Sequence, residues 1–221
     1  MSAILEDRQV RVRVGSADLK ANLRIPLDAG GIVVFAHGSG SGRHSPRNRF
    51  VADALVNAGL GTLLIDLLTE DEETIDLQTA ELRFDIRLLA ERLGGVTDWL
   101  TGEPVTAGLS IGYFGASTGA AAALIAAVDR QKTVRAIVSR GGRPDLAEPV
   151  LPSVTQPTLL IVGAEDDIVI DLNRRALLQL GGIKQLVIVP GATHLFEEPG
   201  ALEQVAALAS EWFTRYLAAA P

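Results

Sequence analysis

The stretch that most constrains this chain is Gly115-Ala116-Ser117-Thr118-Gly119. Leu109–Phe114 before it is short, apolar and partly β-branched or aromatic, which is the composition of a buried strand. Ala120–Val128 after it is rich in alanine, the best helix former. A serine therefore stands on a sharp strand-to-helix turn with glycine two places to either side. Such a turn strains the serine backbone and lifts its hydroxyl clear of the sheet. The glycines let strand and helix approach without a Cβ between them, and the first N–H groups of the new helix point at any anion formed there. This is the setting that a nucleophilic serine in a G-x-S-x-G motif requires.

The rest of the chain supplies the layers around that junction. Gln9–Val14 and Leu19–Ile25 alternate apolar and polar residues across the turn Gly15–Asp18, predicting an antiparallel hairpin. Ile32–Ala36 is a continuous apolar run, as expected of a strand covered on both faces, and Leu60–Leu67 reads as another buried strand. Ser45-Pro46 reads as an N-cap followed by proline in the first helical turn, opening a helix that stops at Gly59. An acidic loop, Glu70–Glu73, and a helical stretch through Phe84 and Leu93 to Leu100 precede the serine strand. Beyond it come strands at Val134–Val138, Thr158–Val162 and Gln185–Val189, and a helix opened by Asp171-Leu172-Asn173. The closing helix carries Leu202, Val205, Ala206, Ala209, Trp212, Phe213, Tyr216 and Leu217 on one core-facing stripe. Strands alternating with helices imply one doubly wound α/β domain over residues 1–221. In such sheets ligands bind past the carboxyl ends of the strands, where Ser39, Ser117, Arg140, Asp166 and His194 all fall.

Composition removes several function classes. The chain has 221 residues and no cysteine, so disulfides, thiolate metal sites and a cysteine nucleophile are out. A net charge of −7 argues against nonspecific nucleic-acid binding. No run approaches the roughly 20 apolar residues of a membrane span. Met1–Val10 has no signal-peptide pattern, so a cytoplasmic protein without a membrane partner is the expectation. His37, His44 and His194 are too scattered for a zinc cluster.

A serine hydroxyl is a poor nucleophile until a base accepts its proton and an acid orients that base. Downstream of Ser117 the one histidine is His194, after the last strand, with Asp166 between them after the preceding strand. The order Ser117, Asp166, His194 suits an acyl-transfer triad built on an α/β sheet. Asp166 is adjacent to Glu165 and Asp167, so spacing alone hardly separates the three. The oxyanion donors expected are the N–H of Thr118 and the N–H of Ser39, with Gly40 as the fallback. His37 reads as a brace for that loop rather than as the base.

With H-G-S-G at His37–Gly40, G-A-S-T-G at Gly115–Gly119, G-A-E-D at Gly163–Asp166 and G-A-T-H at Gly191–His194, the chain resembles the α/β-hydrolase superfamily, and within it the small dienelactone-hydrolase-like hydrolases. The resemblance runs from the Val10 strand to the Trp212 helix. It implies a mostly parallel eight-stranded sheet with an antiparallel N-terminal hairpin, an acyl-enzyme mechanism, and no metal or organic cofactor. Dienelactone hydrolases commonly use cysteine where this chain has Ser117, which favours a serine esterase acting on a small-acid ester or lactone. A separate cap domain is not expected; Leu68–Arg83 has room only for a small lid.

Two charge clusters bear on the substrate. Arg43, His44, Arg47 and Arg49 flank the first crossover helix, and Glu70–Glu73 follow the next strand. Loop-to-loop ion pairing between them is one account. The other is that an arginine, from Arg43, Arg47 and Arg49 beside the expected oxyanion loop or Arg140 beside the nucleophile strand, faces the pocket and binds a substrate carboxylate, with Gly40, Arg43 and Arg140 as the candidate substrate contacts; Arg143 has a similar status. A calcium site in the acidic run lacks a spaced ligand loop. The rival functions are an acyltransferase using the same triad and a noncatalytic binding or regulatory module.

Overall fold

In the computed structural model, which describes residues 3–218, β1 (Ile4–Val14) and β2 (Ala17–Pro26) form the antiparallel hairpin, turning at Gly15 with φ 59°. There follow β3 (Ile32–Ala36), α1 (Pro46–Asn57), β4 (Gly61–Ile65), α2 (Glu70–Thr79), α3 (Ile86–Gly102), β5 (Ile111–Ala116), α4 (Thr118–Val128) and β6 (Val134–Arg140). The chain continues through β7 (Thr158–Gly163), α5 (Asp167–Gln179), β8 (Lys184–Val189) and α6 (Ala201–Leu217). The eight strands form one sheet in the order β1-β2-β4-β3-β5-β6-β7-β8. Pairing is antiparallel at β1–β2 and β2–β4 and parallel at the other junctions.

The continuous apolar runs have a simple cause: helices cover both faces of the sheet. Val34, Tyr113, Ile137 and Leu160 pack toward Leu89 and Leu93 of α3, Ala122 and Ala123 of α4 and Ala176 of α5. Their strand neighbours Val33, Phe35, Phe114, Val138 and Ile161 pack the other way, onto Val51 and Leu55 of α1 and Val205, Trp212 and Phe213 of α6. Burying a side chain of this size contributes about 1.5–3 kcal/mol. Strand residues with both neighbours apolar thus fit nowhere but the middle of a three-layer sandwich.

Two local expectations change. Glu70–Glu73 is not a loop but the first turn of α2. Thr69 caps that helix: its Oγ1 accepts the Glu72 N–H at 3.2 Å, and Glu72 Oε2 accepts the Thr69 N–H at 2.8 Å. The acidic residues therefore meet the positive end of a helix. Helix α5 begins at Asp167, ahead of Asp171, with Asp166 at its N-cap. Pro144–Ser153 coils as 3₁₀ helix; Pro149 and Pro152, which lack the N–H an α-helix needs, lie inside it. Among the described residues no separate cap domain is present. Between β4 and α3 stand only α2 and a 3₁₀ turn at Leu82–Phe84.

The ladder sets where the site lies. Ala36 pairs with Gly115, Ala116 with Arg140, Arg140 with Ile161 and Gly163 with Val189. The loops after β3, β5, β6, β7 and β8 therefore emerge side by side along one edge.

Candidate active site

Ser117 holds φ 49° and ψ −119°, a conformation that costs a non-glycine residue of order 1–3 kcal/mol. The turn is held from both sides. Ser117 N–H donates to Arg140 O at 3.2 Å, and its carbonyl accepts Ala120 N–H and Arg143 N–H, each at 3.1 Å. The flanking glycines have no spare room. A Cβ on Gly115 would stand 2.4 Å from Ala120 Cα, and one on Gly119 would stand 2.2 Å from Ala36 O. Ser117 occupies the N-cap of α4 without capping it, so its hydroxyl is free of that duty.

Asp166 behaves likewise at α5: its side chain does not cap the helix. Its Oδ2 instead lies 2.6 Å from Nδ1 of His194. That pair is half-sheltered, the aspartate side chain 15% and the histidine side chain 40% exposed. Neighbouring Glu165 and Asp167 are exposed. The His194 loop is braced by Glu198, whose Oε1 accepts the Thr193 hydroxyl at 2.6 Å and whose Oε2 accepts the Thr193 N–H at 3.1 Å. The Thr193 hydroxyl is the main reason that the Glu198 carboxyl sits below the usual range. The imidazole packs against the backbone after β6, since a Cβ on Gly141 would stand 3.5 Å from both His194 Nδ1 and Cε1. Gly141 directly follows Arg140, whose carbonyl receives the Ser117 N–H. One backbone turn thus separates the serine from the histidine. No hydrogen bond joins Ser117 Oγ to His194 among the described residues; such contacts are often long in a free enzyme and tighten on substrate.

The loop after β3 closes on the same turn. A Cβ on Gly38 would stand 3.1 Å from Ser117 Cβ. His37 braces that loop, as expected. Its Nε2 accepts Leu67 N–H at 3.1 Å, so its proton is on Nδ1, which donates to Gly38 O at 3.0 Å. Burial lowers the His37 pKa, favouring this neutral form. Ser39 differs from expectation. Its N–H does not face an open space but donates to Oγ1 of Thr118 at 3.0 Å. Gly40, at φ 70°, lines a cavity of about 80 Å³ between this loop and α2, together with Ser39, Leu68, Asp76, Leu77 and Arg83. Ser117 and His194 lie outside that cavity's lining, so it adjoins the serine across the Gly38–Gly40 loop rather than enclosing it.

The arginines do not pair as the charge clusters suggested. Arg43 bonds Asp66 through its guanidinium, and its N–H donates to Asp66 Oδ1 at 2.7 Å. Arg47 meets Glu197 at 2.8 Å and Arg143 meets Asp145 at 2.7 Å. Glu70 is paired with Lys20 and Glu72 with Arg92. Sequence neighbourhood misled here because Asp66 and Glu197 are brought in by β4 and by the His194 loop. Arg140 is 8% exposed and continues the β6 face that carries Ala136 and Val138, so it runs beneath the His194 loop. Its guanidinium lies 5.9 Å from the ring centre of Phe196, a buried residue held at φ 57°. Among the described residues its Nε and Nη1 have no acceptor. Burial first, then the nearby Arg47 charge, lowers its pKa to about 10, which still leaves it protonated at neutral pH.

Arg83 is the residue that sequence reading passed over. Its Nε donates to Asp76 Oδ2 at 2.6 Å, its N–H to Oδ1 at 3.0 Å and its Nη2 to Asp76 O at 2.7 Å. Burial opposes ionisation of Asp76, but these donors and the guanidinium charge prevail and hold the carboxyl below its ordinary range. Nη1 remains, and a methyl group on Gly40 would stand 3.9 Å from it. No short-range pattern connects residue 83 to residue 40. Among the described residues no group of three or more His, Cys, Asp or Glu side chains is arranged to hold a metal ion, and no helix is long and apolar enough to cross a membrane.

Similarity to known proteins agrees with this architecture. A crystal structure of a dienelactone hydrolase from Anabaena variabilis is 64% identical, with a TM-score of 0.95 over 96% of this chain and 98% of that one. The esterase Est1E from Butyrivibrio proteoclasticus, solved with ferulic acid bound, shares the fold at 16% identity, with a TM-score of 0.77 over 95% of this chain and all of its own. A Mycobacterium tuberculosis protein with a provisional phosphoribosyl transferase name is 58% identical over 213 residues, 96% of this chain and 47% of that protein. The chain thus spans about half the length of the mycobacterial relatives it matches most fully. No family model matches it.

Proposed function

The chain belongs to the dienelactone hydrolase family, and from that premise we propose that it is a serine hydrolase cleaving carboxylic esters or lactones of small acids. One observation carries the reading: an uncommitted serine hydroxyl on a φ 49° turn shares a sheet edge with an Asp166–His194 pair at 2.6 Å. With Asp166 accepting the Nδ1 proton, His194 keeps its Nε2 lone pair for the serine. Ser117 Oγ attacks the carbonyl carbon as its proton passes to Nε2. Collapse of the tetrahedral intermediate breaks the ester C–O bond, and the same proton leaves with the alcohol. Water then attacks the acyl-enzyme by the same route and frees the acid. The N–H of Thr118, first in α4 and without an intrahelical acceptor, stabilises the oxyanion.

Two measurements test the reading. A fluorophosphonate should label Ser117, located by peptide mass, and chromogenic esters of short acids should turn over. A folded preparation that neither labels nor hydrolyses any of them would favour a noncatalytic module. Competition between water and added alcohols separates hydrolysis from acyl transfer. The transferase name of the mycobacterial relatives belongs to chains about twice as long, and the residues argued from here lie in the shared half.

Arg83 Nη1 beside Gly40 favours substrates carrying a carboxylate. The arginine expected in this role from sequence, Arg43, is occupied by Asp66, and Arg140 lies beneath the His194 loop. An anionic ester should exceed its neutral isostere in kcat/KM by the equivalent of about 1–3 kcal/mol, the worth of one charged hydrogen bond. Arg83→Met should erase that preference. Its melting temperature should also fall, because Asp76 loses its partner, so the ratio of the two substrates is the diagnostic reading. Equal kcat/KM for the matched pair in the wild type at low salt would retire the carboxylate.

A further inference from the structure

Ser39 N–H and Thr118 N–H are the two oxyanion donors expected from the sequence, but the Ser39 N–H is already committed. Oγ1 of Thr118 accepts the Ser39 N–H at 3.0 Å. Thr118 is 3% exposed, so this hydroxyl is shielded from solvent. A threonine inside a helix ordinarily donates its proton to the carbonyl one turn back. Thr97 does so to Leu93 O at 3.0 Å in α3, and Thr74 to Glu70 O at 2.8 Å in α2. Thr118 is the first residue of α4, and the four residues before it belong to β5 and the Ser117 turn. It has no helical carbonyl to use. No acceptor for its O–H is found among the described residues. A hydroxyl that accepts from an amide keeps its own hydrogen free to donate, and the amide polarises it.

We propose that the Thr118 side chain is an oxyanion donor: Thr118 offers both its backbone N–H and its O–H to the tetrahedral intermediate, and the Ser39 amide acts through that hydroxyl. The proposal rests on Ser117 being the nucleophile. No proton leaves Thr118; the O–H hydrogen bond strengthens as charge develops on the carbonyl oxygen and relaxes when the intermediate collapses. Ser39 is then a positioning residue, and Thr118 touches the reacting atom.

The test compares full-length Thr118→Val, Thr118→Ala and Thr118→Ser with the wild type, using a chromogenic ester and a trifluoromethyl ketone with its methyl ketone counterpart. Loss of one oxyanion donor costs about 10²–10³-fold in kcat. Thr118→Val should show that loss, with a much smaller change in KM. It should lose preference for the trifluoromethyl ketone, which binds as the tetrahedral adduct, in the same proportion. Thr118→Ala should fall between, because the Ser39 N–H becomes free to face the oxygen itself. Thr118→Ser should stay within a few-fold of wild type. If Thr118→Val keeps wild-type kcat and ketone preference, the hole is made by backbone amides such as Gly40 N–H, and the proposal is overturned. If Thr118→Ala is faster than wild type, the hydroxyl obstructs the amide, which overturns it equally. Should Thr118→Val not fold, the serine and alanine variants decide: serine active and alanine slow supports the hydroxyl, both at wild-type rate overturns it. Fluorophosphonate labelling of the wild type is read first. Absence of a label on Ser117 removes the nucleophile and the hydroxyl's role with it, whereas labelling with unaltered Thr118 variants removes the hydroxyl alone.

Discussion

Ser117→Ala is expected to lower ester turnover by about 10⁴–10⁶-fold while leaving the fold intact, since loss of a serine nucleophile removes the covalent route and leaves binding and oxyanion effects. The fold should survive for a structural reason. Alanine has the same Cβ as serine, so it meets the φ 49° turn at the same strain, and the backbone bonds to Arg140, Ala120 and Arg143 do not involve the hydroxyl. Circular dichroism melts should therefore superimpose within a few degrees. Steady-state rates on the best chromogenic ester, with fluorophosphonate labelling lost, check the prediction. Near wild-type turnover in a labelled-silent variant would assign the reaction elsewhere.

Asp166→Asn should cost about 10⁴-fold in kcat, the scale set when the orienting carboxylate of a triad becomes an amide. An asparagine at 2.6 Å from Nδ1 can present an N–H instead of an oxygen, which favours the wrong imidazole tautomer. Since Asp166 does not cap α5 with its side chain, the helix loses nothing and the melting temperature should barely move. Asp167→Asn is the matched control and should leave kcat unchanged, because that side chain is exposed in the first turn of α5. A large loss in Asp167→Asn with an active Asp166→Asn would reverse the assignment.

Local chemistry made much of this legible in the sequence. Ile32–Ala36 and Leu109–Phe114 read as buried strands because short apolar runs are favoured where helices keep water from both faces, and the structure places those strands at Ile32–Ala36 and Ile111–Ala116. The glycines around Ser117 announced a close strand–helix crossing, and the structure shows why no larger residue fits at positions 115 and 119. The preference for Asp166 over its acidic neighbours agrees with the contact to His194, which follows from a turn of fixed shape after β7. The acidic run at Glu70–Glu73 was misread as a loop because charge was weighed before the Thr69 cap and its Glu72 partner.

What the amino-acid order determined by itself is whatever depends on neighbours in the chain: strand and helix periods, the strained serine turn, the caps, and the succession Ser117, Asp166, His194 along one sheet edge. Tertiary structure alone decided which groups meet across the chain. Arg43 found Asp66 and Arg47 found Glu197, while the Arg140 guanidinium came to lie against the Phe196 ring. Arg83 reached the loop at Gly40 from a helix turn over forty residues away, and the Ser39 amide was taken up by Thr118. The physical reason is one of range. Backbone propensities act over a turn or two, whereas an ion pair or a buried hydrogen bond is selected by distances of a few ångströms that exist only after the sheet has assembled and its loops have been carried to their positions.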